Sequence, residues 1–196
     1  MIKTDETAER AARDADSPFA VPIDLFIPED GEKILTVIPS LRSLSARLIS
    51  ADGPGPFAEA ASEADGYMSK LGFTGRPVVF DQTEYVFGGV SELREGSVVL
   101  DGGEPSASVY SDGERVSFAS VNDLPGVSEI FVETEEKYRG RGYASACVAA
   151  LARFLFSQGK KAVYVCDTEN VPSMKVAGKA GFIRTGRRLS AVWYRY

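Results

Sequence analysis

A short glycine-rich stretch carries the clearest chemical signal in this sequence. Val127–Ser145 indicates a β-strand, a charged turn, two closely spaced glycines and the start of an apolar helix. Glycines between a strand and a helix let backbone amides approach a ligand closely, and the first turn of a helix leaves unpaired N–H groups with a partial positive charge. Arg139 and Arg141 alternate with Gly140 and Gly142 and add formal charge. The stretch therefore predicts a site for a phosphate or pyrophosphate.

Two common phosphate-binding loops do not match this stretch. A P-loop needs Lys and then Ser or Thr directly after its second glycine, but Gly142 is followed by Tyr143. A dinucleotide-binding loop needs a third glycine where this chain has Ser145. The phosphate prediction therefore requires another kind of loop.

The stretch resembles the acetyl-CoA loop of the GNAT N-acetyltransferase superfamily. That loop has the pattern Arg/Gln-x-x-Gly-x-Gly/Ala, and Arg139, Gly142 and Ala144 fill its places. A second block, from Asn170 to Phe182, is similar to another signature of the superfamily, in which Asn-x-x-Ala/Ser is followed by a helix and by Gly-Phe. The two blocks occur in the expected order, separated by one helix and one strand.

The resemblance implies a fold, a cosubstrate and a set of binding residues. The fold would be mixed α/β (α+β), with a mostly antiparallel sheet, helices on both faces and a V-shaped splay between the two central strands. Acetyl-CoA would lie along one of these strands, where the amide of Val132 would polarise the thioester carbonyl. Asn170 would hydrogen-bond the pantetheine arm, and Ser173 would either cap the following helix or approach the sulfur. The implied cofactor-binding residues are Ile130, Phe131, Val132, Arg139, Gly140, Arg141, Gly142, Tyr143, Ala144, Ser145, Asn170 and Ser173.

A catalytic base is expected on the same strand. An amine must lose a proton when it attacks, and a carboxylate can accept this proton directly or through water. Glu129 lies among apolar neighbours and shares one face of the strand with Phe131 and Glu133, because side chains alternate. We predict Glu129 as the base. A solvent-facing or ion-paired strand end is the competing interpretation, and Glu133 is the second candidate.

The chain departs from the superfamily pattern at one position. Many members carry a tyrosine at the place of Ala177, where it protonates the leaving thiolate. Alanine has no proton to give, so Tyr143, Tyr164 or a water would have to substitute, and the sequence does not choose among them. Because a CoA thiolate is a tolerable leaving group near neutral pH, a dedicated acid is not required.

Composition excludes several other kinds of site. The 196 residues include no histidine, which excludes Ser-His and Cys-His nucleophile pairs and argues against a metal site. The two cysteines, Cys147 and Cys166, lie in apolar segments and are predicted to be buried thiols. Residues 137–196 hold 12 Lys and Arg against 2 Asp and Glu, although the net charge of the chain is −6. These charges either form two solvated faces or direct the basic part to phosphates and the acidic part to a cationic substrate; the acidic part would repel a nucleic acid.

The remaining patterns predict the elements that position these residues. Beside the strand of the central stretch and an extended segment at 19–27, strands are predicted at 78–80, 85–87, 97–100, 106–110, 115–121, 162–166, 182–185 and 189–196. Helices are predicted at 32–49 with an interruption at Pro39, and at 57–71, 143–157 and 173–179. We divide the chain into a flexible tail (1–18), an N-terminal α/β part on the acceptor side (19–100) and an acetyl-CoA-binding core (101–196).

The sequence thus predicts a cytosolic N-acetyltransferase that transfers an acetyl group directly from acetyl-CoA to a small-molecule amine. No apolar run reaches the length of a membrane span, so no membrane partner is expected. The oligomeric state is open, with a homodimer among the options. Two alternatives remain: a non-catalytic acyl-CoA-binding regulatory module, to which Ala177 would point, and a peptide or protein N-acetyltransferase.

Overall fold

The chain divides into two units, Met1–Gln82 together with Gly186–Tyr196, and Thr83–Thr185. A computed structural model describes residues 1–91, 98–101 and 103–195. Its strands are β1 (Ile2–Thr4), β2 (Phe19–Pro28), β3 (Ile34–Val37), β4 (Thr74–Phe87), β5 (Val98–Asp101), β6 (Ser106–Ser111), β7 (Glu114–Leu124), β8 (Val127–Thr134), β9 (Ala162–Asp167) and β10 (Phe182–Tyr194). Its α-helices are α1 (Glu6–Arg13), α2 (Ser45–Ser50), α3 (Pro54–Ala61), α4 (Asp65–Lys70), α5 (Tyr143–Ser157) and α6 (Val171–Lys179). Strands β4 and β10 contribute residues to both units.

The first unit has its strands in the order β1-β3-β2-β10-β4. β2 pairs antiparallel with β3 and with β10, and β1 joins β3 in parallel. Its core combines strand residues such as Leu25 and Trp193 with helix residues such as Phe57 and Met68, all of them fully buried. The indole N–H of Trp193 donates to Asp65 at 3.0 Å, so the one polar atom of this buried ring is satisfied.

The helix predicted for residues 32–49 is wrong in its first part. Ile34–Val37 forms β3, because these mostly β-branched side chains suit a pleated strand that pairs with neighbours on both sides. Pro39 begins a 3₁₀-helix, Pro39–Leu44, and only then does α2 follow. A short apolar run fits the period of a strand and that of a helix, so the sequence could not separate the two.

The segment predicted as a flexible tail, residues 1–18, contains β1 and α1. Asp5 caps α1 by accepting a hydrogen bond from the Ala8 amide at 2.8 Å. Ala12 of this helix is fully buried, and Glu9 accepts a 2.5 Å hydrogen bond from the Ser40 hydroxyl. These contacts attach α1 to the first unit. The functional division of the chain at residue 100 stays a prediction.

The second unit contains both motifs, and its strands follow the order β10-β4-β9-β8-β7-β6-β5. β5 to β8 pair antiparallel in succession, whereas β9 runs parallel to β8 because α5 connects them. This is the mixed, mostly antiparallel sheet that we predicted. Helix α5 is buried nearly all round at the centre of the core, and its buried residues are Ser145, Cys147, Val148, Ala149, Ala150, Leu151, Ala152 and Leu155.

Element bounds in the second unit agree with the predictions in most places. The predicted hairpin is confirmed as β6 and β7, with Asp112 and Gly113 at φ 52° and 82°, as two-residue hairpin turns require. Helix α5 has the predicted bounds, and α6 begins two residues earlier than predicted. The pairs of short strands predicted at 78–80 and 85–87, and at 182–185 and 189–196, are the continuous strands β4 and β10. Ser97 and Tyr196, at the limits of two predicted strands, lie outside the described residues.

Candidate functional site

The backbone N–H and C=O groups of β8 point alternately toward its two neighbouring strands, β7 and β9. Toward β7, the Glu135 amide just past its end donates to the Val116 carbonyl at 3.1 Å, and the Glu133 carbonyl accepts from the Ser117 hydroxyl at 3.2 Å. Toward β9, the Ser128 amide donates to the Lys161 carbonyl at 2.8 Å. Since successive residues of a strand point their N–H and C=O groups to opposite sides, the even-numbered residues, Val132 among them, direct their amides toward β9.

Pairing between β8 and β9 stops while both strands continue. Cα partners are Ser128 with Ala162 and Glu129 with Val163. Among the described residues no later pair exists, although β8 extends to Thr134 and β9 to Asp167. This opening is the splay that we predicted. It leaves the amide of Val132 directed at a gap where an extended ligand can take the place of the missing strand partner.

Helix α5 begins at the end of the gap that lies beside the C-terminal end of β8. Its N-cap is Gly142 in the left-handed conformation, φ 86°, and the first helical bond is donated by the Ala146 amide to the Gly142 carbonyl at 3.0 Å. The amides of Tyr143, Ala144 and Ser145 precede that bond, and no side chain in the described part of the chain caps them. A Cβ added at Gly140 or Gly142 would meet no atom within 4 Å, so the space beside the loop is open. The loop thus presents a row of amides with room for an anion.

Basic and aromatic side chains shape this loop. Arg141 lies with its guanidinium 5.1 Å from the ring centre of Tyr138, and the Lys137 ammonium lies 5.0 Å from the same ring. Arg139 donates from Nε to the Thr134 carbonyl at 3.2 Å. Both arginines are exposed, so their remaining N–H groups can reach a ligand. The role of Tyr138 under two cations was not visible in the sequence, because residue spacing does not show side-chain stacking.

The second motif begins α6, and here one expectation was wrong. Asn170 is the N-cap, and its side-chain oxygen accepts from the Ser173 amide at 3.1 Å. Ser173 therefore does not cap the helix; the helix starts at Val171, with Pro172 in the first turn where proline is favoured. The predicted contact of Asn170 with pantetheine stays a prediction.

The hydroxyl of Ser173 instead lies 2.7 Å from that of Tyr164 on β9. Tyr164 is 4% exposed and packs its ring against Phe182, with ring centres 6.0 Å apart. Burial is the main cause that raises the pKa of Tyr164. The sequence named Tyr164 only as one substitute acid among several; alternation along β9, which puts Tyr164 on the face that α6 covers, was the signal that could have paired it with Ser173.

Opposite faces of β8 carry different chemistry. Ile130 is buried in the core with α5 and α6, whereas Glu129, Phe131 and Glu133 point to the other face. Glu129 is half-buried at the residue where pairing with β9 ends, and Phe131 is 48% exposed. The structure therefore brings the predicted base to the edge of the opening.

The two thiols have the predicted environment. Cys147 and Cys166 are both free and buried, and burial raises the pKa of each thiol. Among the described residues, no group of three or more His, Cys, Asp or Glu side chains is placed to hold a metal ion. No helix within these residues is long and apolar enough to cross a membrane.

Comparison of solved structures supports the fold. A GNAT-family protein from Novosphingobium aromaticivorans DSM 12444 matches with a TM-score of 0.54 and 16% identity, over 62% of this chain and 67% of that one. An acetyltransferase from the GNAT family of Colwellia psychrerythraea matches with a TM-score of 0.51 and 14% identity, over 87% of this chain and 81% of that one. At such identities the likeness shows the fold alone.

Comparison of the sequence with family models and with curated proteins gives two results. A search of curated proteins finds no significant match. The model of the Acetyltransferase (GNAT) family matches residues 80–182, which is more than half of the 196 residues and includes both motifs. The chain therefore belongs to the GNAT acetyltransferase family.

Proposed function

We propose that this protein is an N-acetyltransferase that moves an acetyl group from acetyl-CoA directly to the amine of a small molecule. One observation carries the proposal: the gap between β8 and β9 opens beside the uncapped start of α5. A strand edge with free amides suits the pantetheine arm, which carries amide groups, and a row of helix amides suits a diphosphate. Membership of the family supports acyl transfer in general.

The residues of the chain fit the parts of this cosubstrate. The amides of Tyr143, Ala144 and Ser145, with Arg139 and Arg141, would hold the diphosphate. The backbone of Ile130–Val132 would pair with the pantetheine arm.

Groups of acetyl-CoA and residues of β8 would together carry out the chemical step. Acetyl-CoA would supply the acetyl group and the leaving thiol. The Val132 amide would donate to the carbonyl oxygen, where negative charge develops, and Glu129 would take the proton of the amine directly or through water. No covalent link to the protein is needed.

Release of free CoA thiol from acetyl-CoA, measured over a panel of small amines and of peptides, tests the proposal. Release that depends on a small amine supports it, and release with peptides alone would replace it by the peptide or protein alternative. Binding of acetyl-CoA without release from any acceptor would favour the regulatory module, for which the fully buried Ala177 is the specific observation.

A further inference from the structure

We propose that the acceptor is an arylalkyl amine, in which a short carbon chain joins the amino group to an aromatic ring, and that the side chain of Phe131 binds this ring. The inference rests on the proposed function and names the substrate class of the same site. The pantetheine arm would pair with the backbone of Phe131, so the side chain of this residue is left to contact the second substrate.

Strand register brings two aromatic side chains together on the face of the sheet opposite to α5 and α6. Phe131 on β8 is directly opposite Ser120 on β7, and Phe118 lies two residues before Ser120. The two phenylalanines are therefore diagonal neighbours, which lie about 7–8 Å apart and within reach of aromatic side chains. The residues that alternate with them, Ala119 and Val132, point to the core that contains α5.

A small side chain lies between the two rings. Ser120 is half-buried, and its neighbour across β6 is another serine, Ser106. Phe131 is 48% exposed, and Phe118 is half-buried. A ring of the substrate above Ser120 would therefore contact Phe131 on one side and Phe118 on another, without displacing a large side chain. Aromatic rings favour such offset or edge-to-face contacts.

Arg115 lies against one of the two rings and adds a positive charge. Its guanidinium carbon is 4.4 Å from the ring centre of Phe118. A second ammonium group, as in a diamine or a polyamine, would be repelled by this guanidinium. The surroundings of Phe118 thus favour an uncharged ring at the far end of the acceptor.

The amino group would bind at Glu129, the proposed base. Glu129 precedes Phe131 by two residues on the same face of β8, which corresponds to about 7 Å along the strand. The Glu129 carboxylate complements the ammonium form of an amine before it takes the proton. A nitrogen at Glu129 and a ring beside Phe131 would be joined by about two or three carbon atoms, given this spacing. The Val132 amide follows directly, so the acyl group would lie at the same depth.

The neighbours of Glu129 show on which side the acceptor fits. Val163, its partner on β9, is only 4% exposed. Asn122, its partner on β7, is exposed. The body of the acceptor would therefore extend over β7, where Ser120 and Phe118 lie.

Initial rates of CoA release from acetyl-CoA by the full chain test this inference with three acceptors: 2-phenylethylamine, its saturated counterpart 2-cyclohexylethylamine, and 1,4-diaminobutane. The value of kcat/KM should be on the order of ten- to a hundredfold higher for 2-phenylethylamine than for 1,4-diaminobutane, because a ring is removed from water. The saturated amine, which is apolar but has no π-system, should lie between them.

Phe131→Ala should lower kcat/KM for 2-phenylethylamine on the order of tenfold, mainly through KM, and should change that for 1,4-diaminobutane by less than about threefold. KM for acetyl-CoA should stay within about twofold, because the backbone of β8 is unchanged. Phe118→Leu should cause a smaller loss in the same direction. Phe156→Ala, which removes a side chain that is 57% exposed near the end of α5, is the control and should change none of these values.

The outcomes separate this inference from the proposed function. Equal kcat/KM for all three amines, a preference for 1,4-diaminobutane, or an equal loss for all three in Phe131→Ala would overturn the inference and leave the proposed function standing. Absence of CoA release with every amine would overturn both.

Discussion

Two residues of β8 divide the proposed chemistry between a side chain and a backbone amide. The amide of Val132 is directed at the gap by the strand register, so no substitution of its side chain other than by proline removes it. Glu129 acts through its carboxylate, which a single change can neutralise. Substitution of Glu129 therefore tests the proposed proton transfer with a single change.

Glu129→Gln should lower kcat of acetyl transfer by about a hundredfold or more, because the amide side chain cannot accept the proton of the amine. The dissociation constant of acetyl-CoA, measured by calorimetry, should stay within about twofold, since the proposed cosubstrate contacts are backbone amides and arginine side chains elsewhere. Glu133→Gln, on the same face and exposed, is the matched control. Equal losses in the two variants, or none in Glu129→Gln, would remove Glu129 from the role of base.

Helix α5 is the element on which the proposed binding of the cosubstrate depends. Its first-turn amides and the exposed Arg139 and Arg141 form one positive end. Such an end recognises the phosphates of a ligand rather than its thiol. Its contribution can therefore be separated from that of β8 by ligands with and without phosphate.

Arg141→Gln should weaken binding of CoA on the order of tenfold, because a charge-assisted hydrogen bond to a phosphate oxygen is lost. Binding of pantetheine, which has no diphosphate, should not change. Lys161→Gln removes an exposed positive charge next to the start of β9 and serves as the control. A loss of affinity that is the same for CoA and pantetheine would show that Arg141 does not contact phosphate.

The sequence was sufficient for elements whose signals are local. Helix α5 could be predicted to the residue because Gly142 precedes a mostly apolar run that ends before Gly159. The bounds of β4 and β10 could not be predicted in this way, because a strand continues through polar residues such as Asp81 when neighbouring strands supply its hydrogen bonds. The Asp81 carboxylate, for example, accepts two hydrogen bonds from Arg187 on β10, at 2.7 and 2.6 Å. Pairing across such distances leaves no local pattern.

The same difference between local signals and long-range contacts applies to the candidate site. The loop residues were predicted from the motif, and the splay was implied by the resemblance to the superfamily. The Tyr164–Ser173 hydrogen bond could not be predicted from spacing, since it depends on the angle at which α6 packs on β9. The cap by Asn170 was missed because the helix begins two residues before its apolar period becomes visible.

At the scale of the whole chain, the first unit is held together by residues far apart in sequence. Arg195 donates to five backbone carbonyls, those of Ala12, Asp14, Ala15, Ser17 and Leu71. Its guanidinium also lies 4.2 Å from the ring centre of Phe73. The end of the chain thereby joins the end of α1 to the residues that follow α4.

Arg195→Met should lower the free energy of unfolding by about 2–4 kcal/mol, because it leaves several carbonyl groups without their donor. Chemical denaturation followed by circular dichroism measures this change. Arg10→Met, at an exposed position of α1, is the control and should change stability by less than about 0.5 kcal/mol. Equal stability of the two variants would contradict the role of Arg195.

Stability should also depend on pH through Glu9. Its hydrogen bond from Ser40, followed by that from Arg13, lowers the pKa of Glu9 from 4.5 to about 2. Because the pKa is lower in the folded state, the stabilisation is present above pH 4.5 and is lost as pH falls toward 2. Glu9→Gln should therefore reduce the fall in unfolding free energy between about pH 6 and about pH 3, while Glu6→Gln, exposed on the same helix, should not. An unchanged slope in Glu9→Gln would show that another group controls acid sensitivity.

A crystal structure of the chain grown with CoA would show whether the gap between β8 and β9 and the start of α5 bind the cosubstrate. For this binding mode we expect the diphosphate within hydrogen-bonding distance of the amides of Tyr143–Ser145, and the pantetheine arm paired with Ile130–Val132 in the gap between β8 and β9. A structure at saturating CoA in which that gap is filled by the protein's own side chains, or in which CoA binds elsewhere, would contradict it.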